Sequence, residues 1–363
     1  MLFRSTLEEI TQITGGMLTK VQDVKISQIA PPLLADENTL ALALGEEEIA
    51  NLAQSKAKAA LVPLGVQIEG FTTIEVERPR LAMMKLITLF YKEPEVNDGI
   101  HPTATVHPEA KLGQNVKIGP NVVVSRGAEI GDNTKIVANG YIGSDAKIGK
   151  NCFFHPGVNI GDRVKVGENV ILHHGVSLGA DGFSFVTENP DNIEQARKDG
   201  EIKDSSAKHV IFKIPSIGSV VIGNNVEIGA NTAIDRGTIE DTTVGDNTKI
   251  DDLVMIGHNC KIGQGCLIVS QVGIAGSCVI GDRVVIAGQA GLADHIEIGA
   301  DTIITAKAGV TKSFPEKSIV IGIPAVPRKD FIKQLKTMKD AQDIFAKFRK
   351  YEPLLRAFEE EQQ

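Results

Sequence analysis

The stretch MIGHNCKIG, Met255 to Gly263, sets one histidine into a run that is otherwise small, apolar and glycine-rich. An imidazole titrates close to neutral pH, so His258 is a candidate general base; the competing reading is a residue that fills a turn. Cys260 stands two positions away, and a thiol beside an imidazole is the usual arrangement of a nucleophile and its base. The other cysteines, Cys152, Cys266 and Cys278, show no CxxC pair, which argues against a disulfide framework and a structural zinc site.

The surrounding pattern decides between these chemistries. From Ile100 an aliphatic residue or Phe recurs at every sixth position through Leu178; the beat returns at Ile222, Ile228 and Ile234, and runs again from Val244 to Val310. A period of six suits short strands joined by turns, each strand sending alternate side chains inward. The position two before each aliphatic then also faces in, and it is small or β-branched: Ala104, Ala110, Val116, Val122, Ala128, Thr134. All four cysteines occupy this slot, which makes them small core residues and turns Cys260 away from His258. Residues 183–216, with the polar tract VTENPDNIEQARKDGEIKDSSAKH, and the shorter GTIEDTT interrupt the beat. Such loops on a rigid scaffold carry binding function or are tolerated surface insertions.

Residues 1–98 lack the period. LEEITQITGG reads as a short helix ended by glycine, KAALVPL and FTTIEVE as strands, and PRLAMMKLITLFYKEP as a helix begun near Pro79, together a small α/β domain. His101 and His107, in the first repeats, read as surface turn residues. Residues 99–325 form the repeat domain and residues 326–363 a helical extension. On that helix Phe331, Ile332, Leu335 and Met338 share one side while Lys329, Lys333 and Lys336 share another. The lysine side is a solvated face or a docking surface for an acidic partner.

With 363 residues, 42% of them hydrophobic, the chain can bury a real core. The absence of Trp, 4% aromatic residues and 36 glycines mean that this core is built from small and aliphatic side chains. A formal charge of −8 argues against nucleic acid as a partner. No apolar run reaches the ~18 residues of a membrane span, and the N-terminus lacks a signal-peptide core, so a cytoplasmic protein without an integral membrane segment is expected.

The hexads resemble the repeat of left-handed parallel β-helices, in which three hexads make one coil and residues 18 apart stack. His155 and His173 are 18 apart; the HxxxxH spacing of γ-class carbonic anhydrases, which use the same β-helix, is missing, so no metal is expected. The order of parts, together with SLGADGFSF, KIPSIGSVVIGNNVEIGANTAIDRGTIEDT and IDDLVMIGHNCKIG, resembles the UDP-3-O-acylglucosamine N-acyltransferases of lipid A biosynthesis over most of the chain. The resemblance implies transfer of a 3-hydroxyacyl group from acyl carrier protein to the 2-amino group of a UDP-linked amino sugar, by a homotrimer, without a cofactor.

By that resemblance His258 is the base, Gly276 the backbone oxyanion donor one coil above it, Asp251 the carboxylate that orients the histidine, and His295 and Asn259 substrate-binding residues, Asn259 next to the base. Asp251 precedes His258 by seven residues, which places the two at different corners of a coil; contact is therefore expected across a subunit boundary. Phe183 and Phe185 suit contacts to an acyl chain or carrier arm, or core packing. Lys329, Lys333 and Lys336 would dock the carrier protein. Where the family holds uracil between a Phe and a Tyr, this chain reads LALALGEEEIANL, without an aromatic. An acetyl-CoA-dependent amino-sugar N-acetyltransferase and a non-catalytic β-helical scaffold are the alternatives.

Overall fold

The computed structural model describes residues 5–20, 24–189, 192–202, 210–322 and 326–360. The polar insertion expected over 186–209 therefore lies partly outside the described residues. The chain divides into two compact units, Met1–Pro94 and Glu95–Gln363.

In the first unit a five-stranded sheet runs in the order Met17–Leu18, Thr72–Val76, Ala59–Pro63, Thr39–Leu42, Gln28–Ala30, parallel except for the first pair. Helices α1 (Leu7–Thr14) and α3 (Pro79–Phe90) contribute Leu7, Ile10, Ala82 and Leu86 to the core on one face. A second cluster, Ala41, Ala43, Leu52, Ala60 and Val62, fills the other. Helix α1 starts with a capping box, Thr6 with Glu9, and ends at Gly15 in the left-handed conformation, as the LEEITQITGG pattern requires. The acidic Glu46–Glu48 triplet forms the first turn of α2 (Glu46–Asn51), where carboxylates favour the positive end of the helix dipole.

The second unit is a parallel β-helix. Short strands, most of two residues, stack into three faces of ten, nine and ten strands, which begin at Thr105–Val106, Lys111–Leu112 and Lys117–Ile118. Lys117 pairs with Lys135 and Ile118 with Ile136, so neighbouring coils are 18 residues apart as the hexads predict. Coil after coil the beat residues stack inside: Ile118, Ile136, Phe154, Leu172, Ile228 and Ile250 on the third face are all essentially buried. Asparagines close many of the corners in the left-handed conformation, among them Asn115, Asn133, Asn151 and Asn169. Their amides form a ladder, Asn115 to Asn133 at 3.1 Å and Asn133 to Asn151 at 3.2 Å.

The four cysteines are buried. Their slot has a chemical requirement that hydrophobicity alone misses. The hydroxyls of Thr134 and Thr248 donate to Gly149 and Gly263 carbonyls at 2.8 and 2.9 Å, and the thiols of Cys152 and Cys266 reach Gly167 and Gly281 carbonyls at 3.2 Å in the same geometry. Besides Ala and Val, the slot accepts a short side chain whose single donor reaches the carbonyl of the next coil, which Thr and Cys both supply. Burial pushes the Cys152 thiol up to about 11, the opposite of what a nucleophile needs.

The long interruption loops out between stacked coils: Lys165 pairs directly with Val221. It carries an antiparallel hairpin, Phe185–Thr187 with Ile211–Lys213, and helix α4 (Asn192–Asp199). Helix α5 (Arg328–Glu360) follows the last coil. No helix among the described residues is long and apolar enough to cross a membrane.

Candidate functional site

His258 stands at the corner where the first face turns into the second. Strand Met255–Ile256 delivers it, and Asn259, in the left-handed conformation at φ 59°, turns the chain toward strand Lys261–Ile262. The imidazole lies between two glycines. A Cβ on Gly182 would sit 2.6 Å from His258 Cβ, and one on Gly276 would sit 2.7 Å from Nε2. Any other residue at either place would displace the ring, so GADGF and Gly276 act together as its walls. The Gly276 amide, one coil above the ring, has no acceptor among the described residues.

The second ring nitrogen is held differently. Asn259 Oδ1 accepts from Thr238 N at 2.8 Å, which aims its Nδ2 at His258 Nδ1, 3.1 Å away. Thr238 Oγ1 approaches Nδ1 at a long 3.5 Å. An imidazole that works as a base through Nε2 must carry its proton on Nδ1 and donate it. Within one chain Nδ1 meets a donor at 3.1 Å and only a distant acceptor.

Asp251 is elsewhere. It follows strand Lys249–Ile250 on the third face, at the corner leading into the first. There it accepts from Ser270 N at 3.1 Å and Asp252 N at 2.8 Å, and the Ser270 hydroxyl bonds the same carboxylate. The Ser270 hydroxyl, with those backbone amides, holds the Asp251 carboxyl below its ordinary range. Asp251 borders a cavity of about 640 Å³ together with His173, His174, Glu227 and Lys249.

The remaining expected residues are divided. His295 shares the His258 corner, in the stacked position of Asn259, exposed, with its amide on Gly276 O at 3.1 Å. Phe183 is 86% exposed and its ring meets Phe185 edge-on at 4.9 Å, so neither packs into the β-helix core. Lys329, Lys333 and Lys336 are exposed on α5, and so are Phe331, Leu335 and Met338.

Three features escaped the sequence reading. Thr238 reaches His258 and Asn259 from within the GTIEDTT insertion. Gly273, Gly291 and Gly309 stack at outward strand positions of the first face, and they line an apolar groove of about 480 Å³ with Met255, Ala275 and Ala293. Their 18-residue spacing was visible, but a missing side chain has meaning only once its neighbours are known.

Asp235 is the third, 6% exposed and without a hydrogen-bond donor among the described residues. Burial, joined by the charge of Asp181, pushes its carboxyl up to about 6. The folded chain thus holds this proton more tightly than the unfolded one. Its contribution is full below about pH 4 and lost as the pH rises to about 6. Asp235→Asn should flatten that part of a melting-temperature profile; an unchanged slope would show that the carboxyl is hydrated.

The bacterial transferase hexapeptide family (six repeats) matches residues 100–144, 145–180 and 241–276. The UDP-3-O-acylglucosamine N-acyltransferase of Syntrophotalea carbinolica is 43% identical over 92% of this chain and 92% of its own length. That of Syntrophus aciditrophicus is 41% identical over 94% of this chain and 89% of its own. Among solved structures, an Arabidopsis UDP-N-acetylglucosamine acyltransferase superposes with a TM-score of 0.52 at 25% identity, covering 61% of this chain and 71% of that one.

Proposed function

The chain belongs to the UDP-3-O-acylglucosamine N-acyltransferase family of acyltransferases, and from that premise we propose that it moves a 3-hydroxyacyl group from acyl carrier protein onto the 2-amino group of UDP-3-O-acylglucosamine in lipid A biosynthesis. The observation that carries this reading is the placement of His258 Nε2 over Gly276, with no room between them for a side chain, and a Gly276 amide without an acceptor among the described residues. The amine attacks the thioester carbonyl, the C–N bond forms, and His258 Nε2 takes the proton lost by nitrogen. The Gly276 N–H donates to the oxyanion of the tetrahedral intermediate. When the C–S bond breaks, the imidazolium returns its proton to the leaving thiolate, so the enzyme ends as it began.

Asp251 of a neighbouring subunit supplies the close acceptor for His258 Nδ1, nearer than Thr238 Oγ1 at 3.5 Å, and the homotrimer is the unit of activity. His295 and Asn259 flank the acceptor sugar, Phe183 and Phe185 the acyl arm, and Lys329, Lys333 and Lys336 face the acidic carrier protein. The site is cytoplasmic, where acyl carrier protein is available. A mass-spectrometric transfer assay with UDP-3-O-acylglucosamine, a panel of hydroxyacyl carrier proteins and acetyl-CoA in parallel tests this. Transfer from acetyl-CoA alone would move the reading to an N-acetyltransferase, and no transfer to the UDP-sugar would leave the aromatic-free LALALGEEEIANL segment as the better guide to the acceptor.

The acyl chain lies in the groove of Gly273, Gly291 and Gly309, which starts beside Gly276 and rises about 10 Å over two coil steps. A Cβ at any of the three meets nothing within 4 Å, so a larger side chain folds without strain and fills only the groove. Gly309→Phe is expected to shift the preferred donor to a shorter chain, with at least ~10-fold discrimination against the original one. An unaltered chain-length profile would place the acyl group elsewhere.

A further inference from the structure

We propose that His155, His173 and His174 bind one divalent transition-metal ion of the zinc class on the corner between the third and first faces. The spacing along the chain excludes an HxxxxH site, but stacking assembles a different set. Strand Phe153–Phe154 pairs with Ile171–Leu172, which puts His155 directly beneath His173 with the rings 4.8 Å apart at 11°; His174, the next residue, leans back to 4.7 Å from His155. One ligand nitrogen from each of the three lies within 4.8 Å of the others. A tetrahedral ion with bonds of ~2.0–2.1 Å needs its donors about 3.4 Å apart, so closure takes small rotations of rings at the surface.

One of the donors has a partner that orients it. His173 Nε2 lies 3.0 Å from Glu227 Oε1; a carboxylate accepts, so the proton sits on Nε2 and the lone pair on Nδ1. A carboxylate behind a ligating histidine is the recurrent outer partner of metal sites. Neither His155 nor His174 has a hydrogen-bond partner for its ring nitrogens among the described residues. One coil above, the stacked position is Gly229, so no side chain closes the top. Three nitrogen donors and an open fourth place suit Zn²⁺, Co²⁺ or Ni²⁺ and not Mg²⁺ or Ca²⁺. The open place borders the cavity of about 640 Å³ that Asp251 also lines.

The test is calorimetric titration of the full-length, untagged, chelator-treated protein with Zn²⁺ and separately with Mg²⁺, with the d–d absorption of added Co²⁺ as a second readout. One Zn²⁺ per chain with micromolar or tighter affinity, no comparable Mg²⁺ binding and a tetrahedral Co²⁺ spectrum are expected. His155→Ala and His174→Ala should each weaken Zn²⁺ by at least about 100-fold, and Glu227→Gln by about 10-fold. His174 is exposed, so its variant decides the matter if His155→Ala melts early. Zn²⁺ binding no tighter than millimolar, or equal in wild type and His174→Ala, overturns the site. Acyl transfer is not the readout, so the outcome is independent of the proposed reaction.

Discussion

His258→Ala is expected to lower the transfer rate by two orders of magnitude or more, with the melting temperature and the KM for the UDP-sugar little changed. The separation of these effects follows from where the ring sits. His258 is outside the stacked core, which Ile256 and Cys260 fill on either side of the corner, so its removal leaves no internal cavity. What is lost is the imidazole walled by Gly182 and Gly276. Without it the amine must shed its proton to water while the intermediate forms. His258→Gln keeps the volume and a polar end without a titrating nitrogen, and should be as slow. A variant that retains a tenth or more of wild-type turnover would remove His258 from the chemistry and leave it as a turn residue.

The β-helix was legible because its rule is local. A short strand, an inward beat at every sixth position and a coil of eighteen all repeat, so the stacking of Ile118, Ile136 and Phe154 follows from the sequence alone. The burial of the four cysteines followed from the same rule. The corner of His258, its separation from Asp251 and the stack of His155 on His173 were legible for that reason too.

Information that depends on a break in the repeat was not. Thr238 comes to His258 from within one insertion and Gly182 from the residue before the other, where no periodicity dictates the path. His174 joins His155 by the way a side chain leans, and the groove exists because three side chains are absent. On α5 the apolar residues Phe331, Leu335 and Met338 are exposed among the described residues, so the sequence pattern of that helix does not say what it packs against.

Mixing two inactive variants should restore activity. Asp251→Ala leaves His258 Nδ1 facing the Asn259 amide with no carboxylate acceptor, which favours the tautomer with its proton on Nε2 and blocks the base; a loss of about two orders of magnitude is expected. Alone, that loss does not say whose aspartate was removed. Asp251 and His258 occupy different corners of one coil, so a carboxylate that serves the base comes from the next subunit around a closed ring. If His258→Ala and Asp251→Ala chains are unfolded together and refolded as mixed trimers, some sites pair a native His258 from one chain with a native Asp251 from the other. With equal mixing that is about one site in four, far above either parent. Restored turnover at that level places Asp251 across the boundary. Mixtures that stay as inactive as their parents, with mixed trimers confirmed by native mass spectrometry, would put the orienting group within the chain. Thr238 Oγ1, 3.5 Å from Nδ1, would then be the acceptor by default, and Thr238→Val the variant that loses the base.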